Sequence, residues 1–170
     1  MSGDGDPKLD PLAKKGEPVA TLNLLAQRRD GLLLSDDETL LDLPTIHHWL
    51  SIESYWANGR DFDTVEKAFL FSYPLGVYEG STQVAVARIV SDCATFAWLC
   101  DVFVDEAFRG RSIGTWLAES SVEWAEKNGI KRIILSTRDA HEVYARVGFK
   151  PLKSPEHWMI IDNRPQARDS

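Results

Sequence analysis

A long strand pattern that turns into an amphipathic helix after a very short connection restricts the fold of this chain more than any other feature. Residues 95–104 have the composition of one strand, and residues 105–108 form the connection. From Ile113 onward, apolar or small side chains recur every three or four positions until Asn128 and Gly129, a typical helix stop. A strand that leads directly into a long helix predicts a sheet with a helix packed on its face.

The amino-terminal part of the chain predicts one strand and two helices. Residues 31–35 are a short apolar run typical of a strand. Pro44 suits the first turn of a helix, whose apolar spacing continues until Gly59 interrupts it. Residues 64–71 form the second helix, with an aspartate before it as its cap.

Alternation with period two in residues 75–78 and 84–90 predicts a β-hairpin that continues into the long strand. After the long helix, residues 140–146 form a short helix, for which Asp139 and Glu142 resemble an N-cap and its partner. Three further strands are predicted at residues 130–136, 149–152 and 158–161. The element order predicts an α+β fold with a mixed, mostly antiparallel, twisted sheet of about six to seven strands, flanked by about four helices.

The length of 170 residues fits a single domain. We expect this domain to span residues 24–162, after a disordered polar leader at residues 1–23 and before a polar tail at residues 163–170.

Charge and composition exclude several classes of partner. The net charge is −7, with 26 acidic and 19 basic residues and no basic block, so the chain as a whole repels nucleic acid. Neither a signal-peptide core nor a membrane-spanning apolar run is present, and the two cysteines suit free thiols. We therefore expect a cytoplasmic protein that is not bound to a membrane. The pair His47 and His48 lacks the spacing of metal ligands, and no metal site is predicted.

Residues 109–114, Arg-Gly-Arg-Ser-Ile-Gly, lie where the long helix begins. Backbone amides at a helix start are unpaired and carry partial positive charge, so a turn of small residues there can bind a phosphate. Gly110 and Gly114 allow a diphosphate to approach the backbone, and Arg109 and Arg111 add positive charge. The loop lacks a P-loop lysine and a complete GxGxxG, which disfavours the common nucleotide sites.

This loop resembles the coenzyme motif of the GNAT superfamily of acyl-CoA-dependent acyltransferases: Arg or Gln, two residues, Gly, one residue, then Gly or Ala. Arg109 and Gly114 match, and Ser112 replaces the middle glycine. A serine at this position can cap the helix and donate its hydroxyl to a phosphate.

A second segment, residues 137–149, resembles the same superfamily on a separate strand and helix. Thr137 stands where the family has an asparagine, and the matching residues are Ala140, Tyr144, Gly148 and Phe149. Together the two segments extend the resemblance over about residues 30–161, and the fold that it implies is the GNAT-like mixed sheet.

The resemblance implies acetyl-CoA as co-substrate and no metal. It places the pantetheine arm along the backbone of the long strand and the diphosphate at the helix start. The implied coenzyme-binding residues are Val102, Phe103, Val104, Arg109, Gly110, Arg111, Ser112, Ile113, Gly114, Thr115, Thr137, His141 and Tyr144.

For the reaction, the resemblance implies direct attack of a primary amine on the thioester within a ternary complex, with Tyr144 as general acid. Asp101 and Glu53 are candidates for the general base, and a chain of water molecules is an alternative. We expect a raised pKa for Asp101, because its carboxyl group would lie in a cleft beside an apolar strand. His141, one helical turn before Tyr144, is a candidate for orienting the tyrosine.

We expect a small-molecule amine as acceptor. Trp49, Tyr55 and Trp56 are the candidate walls of its pocket. Acidic residues nearby, namely Glu53, Asp61 and Asp63, would favour a cationic amine. The alternatives are a protein or peptide N-acetyltransferase and a non-catalytic coenzyme-binding regulatory module, the latter favoured by Ser112 and Thr137. Both a monomer and a homodimer are compatible with the sequence.

Overall fold

The computed structural model describes residues 26–27 and 30–164 of the chain. The predicted leader at residues 1–23 lies outside the described residues, as does most of the predicted tail.

One open sheet organises the described residues. Its strands are β1 (Ala26–Gln27), β2 (Leu32–Ser35), β3 (Tyr73–Glu79), β4 (Thr82–Ser91), β5 (Ala97–Val104) and β6 (Ile133–Ile134). They neighbour one another in chain order, and every pair is antiparallel except β5 with β6, which is parallel. The predicted fold class and the predicted hairpin of β3 and β4 are confirmed.

In the part of the chain that the structure describes, four α-helices flank this sheet: α1 (Leu43–His48), α2 (Phe62–Leu70), α3 (Ile113–Lys127) and α4 (His141–Arg146). Asp42 caps α1 and Asp61 caps α2 by accepting hydrogen bonds from backbone amides three residues on. The first predicted helix ends early, because α1 passes into one π-helical turn at Trp49–Glu53 and the chain is irregular from Ser54. No helix in the described part of the chain is long and apolar enough to cross a membrane.

Two apolar cores lie on opposite faces of the sheet. Helix α3 covers the larger core, to which it contributes Ile113 and Leu117. Helices α1 and α2 cover the smaller core, which contains Val86 of β4 and Phe103 of β5. The central strands β4 and β5 are therefore covered on both faces.

A β-bulge in β5 decides which face each of its side chains meets. Cys100 pairs with Arg88 of β4 and Phe103 pairs with Val86, so β5 has one residue more than β4 between these pairs. Asp101, within the bulge, has a left-handed φ of 50°. Before the bulge, odd-numbered residues such as Leu99 enter the core under α3, whereas Phe103 enters the core under α1 and α2.

The carboxy-terminal strands predicted from the sequence are largely absent. Only Ile133–Ile134 of the predicted strand at residues 130–136 pairs with β5, and residues 149–152 and 158–161 form no strand. The segment after α4 is irregular apart from one 3-10 turn at Pro155–His157. Prolines at positions 151 and 155 cannot donate to a β-ladder, which disfavours pairing here. Met159 is consequently 97% exposed.

Candidate active site

The short β6 leaves most of one edge of β5 open. Strand β6 pairs with β5 only at Ala97 and Trp98, whereas β4 follows the other edge as far as Val104. From Leu99 onward, the described residues place no strand beside this edge. Backbone groups at the open edge can bond an extended ligand in the way that a further strand would.

The start of α3 follows this open edge after a loop of residues 105–112, and it returns close to the end of β5, since Gly114 lies near the Val104 side chain. Trp116 N donates the first α-helical hydrogen bond of α3, to Ser112 O at 3.1 Å. The amides of Ile113, Gly114 and Thr115 precede that bond and lie at the positive end of a helix of 15 residues. This is the location that the sequence predicted for a diphosphate.

Two residues of the loop before α3 have a left-handed backbone. The φ angle is 80° at Gly110 and 58° at Ser112. Glycine adopts this conformation freely, whereas an L-residue with a side chain loses about 1–2 kcal/mol of conformational free energy. The glycine of the family motif thus suits the backbone at Ser112. Ser112 occupies the N-cap position of α3, but its side chain makes no capping hydrogen bond.

Gly114 occupies a position where a side chain would meet little of the protein. A Cβ atom built there would lie 3.9 Å from Cγ2 of Val104, an ordinary van der Waals contact. Internal packing therefore does not require glycine at this position. A ligand that lies against the helix start would require it, so the residues present fit a bound diphosphate.

The two arginines of the loop have different surroundings. Arg109 Nε donates to Val104 O at 3.2 Å, and its guanidinium lies 5.7 Å from the centre of the Phe103 ring. Arg111 forms ion pairs of 3.4 Å with Asp30 and Glu79. Arg109 is therefore the better placed of the two to add positive charge at the end of β5, since acidic side chains already neutralise Arg111.

Tyr144 lies on α4, half-buried against the core under α3. Its ring meets Phe149 edge-on, with the ring centres 5.9 Å apart. Burial, assisted by Tyr55 and Asp139, raises the pKa of Tyr144 to about 12. The phenol is therefore protonated at neutral pH and has a proton to donate.

Tyr55 connects the α1 side of the molecule with the segment before α4. Its hydroxyl accepts a hydrogen bond from Arg138 N at 3.1 Å and lies 3.5 Å from a carboxylate oxygen of Asp139. The Arg138 guanidinium lies 3.8 Å from the centre of the Tyr55 ring.

The prediction that Asp139 caps α4 is wrong, because Ala140 holds the cap position. Thr137 Oγ1 instead accepts from Ala140 N at 3.1 Å.

The other predicted acceptor residues differ in burial. Trp56 is half-buried and meets Tyr55 edge-on, with the ring centres 5.0 Å apart. Trp49 is only 2% exposed and stacks on Phe103 at 5.4 Å. Trp56 and Tyr55 are therefore accessible to an acceptor, whereas Trp49 belongs to the core. The side chain of His141 is exposed on the first turn of α4 and has no hydrogen bond or ion pair to another described residue.

Asp101 is the most constrained acidic residue of the site. Its carboxylate accepts hydrogen bonds from Arg88 Nε at 2.6 Å, Arg60 Nη1 at 2.9 Å and Trp56 Nε1 at 3.1 Å. Burial on its own would raise the pKa of Asp101, but Arg88 and Arg60 hold it below its usual value. This direction is opposite to the raised pKa expected from the sequence, and a carboxylate held anionic in this way is a poor proton acceptor.

Glu53 and the neighbouring acidic residues lie apart from this cluster. Glu53 pairs with His48 at 3.4 Å on the exposed side of the π-helical turn. Asp61 caps α2, and Asp63 is exposed in the first turn of that helix. The structure therefore brings Asp101, Trp56, Tyr55 and Tyr144 together, but not Glu53.

Two residues of the site, Arg60 and Arg88, were missed by the sequence analysis. Arg88 gives a recognisable signal, because it is a charged residue in the otherwise apolar alternation of β4. Arg60 gives none, since it lies in a polar loop 41 positions from Asp101. Across residues 26–27 and 30–164, no group of three or more His, Cys, Asp or Glu side chains is arranged to hold a metal ion.

A comparison with known families identifies this arrangement. The Acetyltransferase (GNAT) family matches residues 43–149, which include α1, the open edge of β5, the start of α3 and Tyr144. The chain belongs to the GNAT acetyltransferase family. Members of this family use acetyl-CoA.

Among curated relatives of this GNAT protein, an uncharacterized N-acetyltransferase of Methanocaldococcus jannaschii is 38% identical over 69 residues. That match covers 38% of this chain and 30% of the archaeal protein, so the chain spans less than a third of that relative. A GNAT-family crystal structure from Xanthomonas campestris pv. campestris is 36% identical, with a TM-score of 0.74. The match covers 81% of this chain and 95% of the Xanthomonas chain.

A more distant solved structure shares the fold of this GNAT protein. It is a predicted acetyltransferase from Clostridium acetobutylicum, crystallised with acetyl-CoA. The two chains are 17% identical, with a TM-score of 0.62, over 77% of this chain and 94% of the other.

Replacement of Asp101 by Asn should destabilise the protein by about 3–5 kcal/mol, because two largely buried guanidinium groups lose their counter-charge. The pKa of Asp101 is lower in the folded state than in the unfolded state. The stabilisation of the fold by ionised Asp101 is therefore present above about pH 4 and is lost as the pH falls through the folded-state pKa. Urea unfolding at pH 7, 5 and 3.5 measures both effects.

The matched control is Asp63→Asn, at an exposed position of α2, which should cost less than about 1 kcal/mol. Equal losses for the two variants would show that the Asp101 ion pairs do not hold the bulge.

Proposed function

We propose that this chain transfers the acetyl group of acetyl-CoA to a primary amine of a small molecule, within a ternary complex. The open edge of β5, which ends at the amides of the α3 start, is the observation that carries this proposal. One continuous surface there offers a strand-like edge for an extended amide chain and a positive helix end for a diphosphate. Those are the two recognisable parts of coenzyme A.

The coenzyme contacts follow from this surface. Backbone groups of Val102 and Val104 bind the pantetheine arm, and the amides of Ile113 and Gly114 bind the diphosphate. Arg109 adds positive charge beside them.

Acetyl-CoA supplies a thioester whose carbonyl carbon an amine can attack. In the transfer a carbon–nitrogen bond forms and the carbon–sulfur bond breaks. Tyr144 donates its proton to the leaving sulfur, and a backbone amide of the open β5 edge stabilises the carbonyl oxygen. Water accepts the proton lost by the amine, because Asp101 is held anionic by two arginines and Glu53 lies on the surface.

The contact between Tyr55 and residues Arg138 and Asp139 favours a small acceptor over a peptide. It connects the α1 side of the molecule with the segment before α4, where a peptide would require an open groove. A small amine needs only a local opening beside Trp56.

Saturating acetyl-CoA should raise the thermal midpoint, and a concentration 100 times the Kd should add about 2.7 kcal/mol of stability. Gly114→Ala should stabilise the free protein by about 0.5–1 kcal/mol, since alanine favours helix, but should reduce the ligand-induced shift. Gly114→Trp should abolish that shift. Thermal unfolding with and without acetyl-CoA measures each term.

Glu126→Ala, on the exposed side of α3, is the control and should keep the full acetyl-CoA shift. An unchanged shift in both Gly114 variants would place the coenzyme elsewhere, and no shift for the wild-type protein would contradict coenzyme binding.

Tyr144→Phe should lower kcat by about 100-fold or more, while the Kd for acetyl-CoA stays within about threefold. Because the pKa of Tyr144 is about 12, the wild-type rate should not fall between pH 7 and 10. Release of free thiol with a panel of small amines measures both results.

Tyr73→Phe is the control, since its hydroxyl contacts Cys93 at 2.9 Å outside the site, and it should retain activity. Coenzyme binding without turnover in the wild-type protein would instead indicate a regulatory module.

A further inference from the structure

The ion cluster of Arg60, Arg88 and Asp101 carries a charge that the described residues do not balance. Two guanidinium groups surround one carboxylate, which leaves one positive charge in excess. The exposed fractions of these side chains are 21% for Arg60, 14% for Arg88 and 3% for Asp101. An excess charge in such a buried position calls for an anion, since isolated buried charges are costly.

The two arginines have donors to spare. Each guanidinium offers five N–H donors, and Asp101 engages Nη1 of Arg60 and Nε of Arg88. Within the described chain, Tyr78 Oη is the only side-chain polar atom that is both fully buried and without a hydrogen-bond partner. The remaining guanidinium nitrogens therefore still reach solvent, although most of each side chain is buried.

Aromatic side chains connect this cluster to the proposed transfer site. Trp56 donates to Asp101 and packs against Tyr55, and Tyr55 is close enough to Tyr144 to influence its pKa. Asp101 itself belongs to the open part of the β5 edge. The excess charge thus lies at the acceptor end of the site, away from the diphosphate end at α3.

On the basis of the proposed acetyl transfer, we propose that the acceptor amine carries a carboxylate, as an amino acid does, and that Arg60 and Arg88 bind that carboxylate. A carboxylate supplies one negative charge and matches the planar fork of a guanidinium. A doubly charged phosphate would overcompensate the single excess charge. The acidic residues expected to favour a cationic amine do not oppose this, because Glu53 pairs with His48 and Asp61 caps α2.

The test compares matched acceptors with the full chain and saturating acetyl-CoA, and follows the release of free thiol. Glycine, β-alanine, L-leucine and L-phenylalanine are each compared with their amides, with rates normalised to the neutral fraction of each amine. Aminomethylphosphonate is the phosphonate counterpart of glycine. The free acids should have a kcat/KM at least about tenfold above that of the amides and of the phosphonate.

Variants of Arg60 separate recognition from a structural role. Arg60→Gln should lower kcat/KM for the acids at least about tenfold more than for the amides, because any change in the bulge affects both substrates and only the acids lose a carboxylate partner. Arg60→Lys, which keeps the charge but loses the fork, should have an intermediate effect. Arg132→Gln, exposed beside the opposite end of β5, is the matched control and should change neither rate.

Three results would overturn the proposal of a carboxylate site: amides acetylated as well as acids, a preference for the phosphonate, or equal losses for acids and amides in Arg60→Gln. The last result, with a lowered thermal midpoint, would assign Arg60 a structural role alone. Each of these leaves acetyl transfer intact. Failure to acetylate any amine would contradict the proposed function itself.

Discussion

Arg60 and Arg88 hold the buried carboxylate of Asp101, and these two ion pairs fix the geometry of the candidate active site. Asp101 lies in a bulge with a left-handed backbone, a conformation that aspartate adopts only at some cost. The two guanidinium groups come from different elements, one from the loop before α2 and one from β4. They fix the bulge between the helices and the sheet, at the point where the odd-numbered side chains of β5 switch from one core to the other.

The bulge has consequences at both ends of the site. Beyond it Phe103 packs under α1 and α2, where it supports Trp49 and Trp56 on the acceptor side. The same stretch of β5 has an open backbone edge that leads to the start of α3 on the coenzyme side. One extra residue in a strand thus couples the geometry of the proposed acceptor side to that of the proposed coenzyme side.

Local patterns in the sequence predicted the hairpin and the long helix, because each of these depends on neighbouring residues. The order of such elements predicted the fold class, and the two family motifs were recognisable because each is a short continuous segment. The bulge escaped prediction because residues 95–104 look like one uninterrupted strand, and only pairing with β4 reveals the additional residue. Arg60 and Asp101 are 41 positions apart, so their contact depends on the tertiary fold. The strands predicted at residues 149–152 and 158–161 were wrong because short apolar runs do not establish that a partner edge is available.

The open edge of β5 and the start of α3 together form the proposed binding site for acetyl-CoA. Amide hydrogen exchange, measured with and without saturating acetyl-CoA, can locate this site along the chain. We expect exchange to slow more at residues 102–104 and 113–115 than in β2, which lies far across the sheet and shares only the general stabilisation by the ligand. Slowing in both of the first two segments that does not exceed the slowing in β2 would show that acetyl-CoA binds elsewhere.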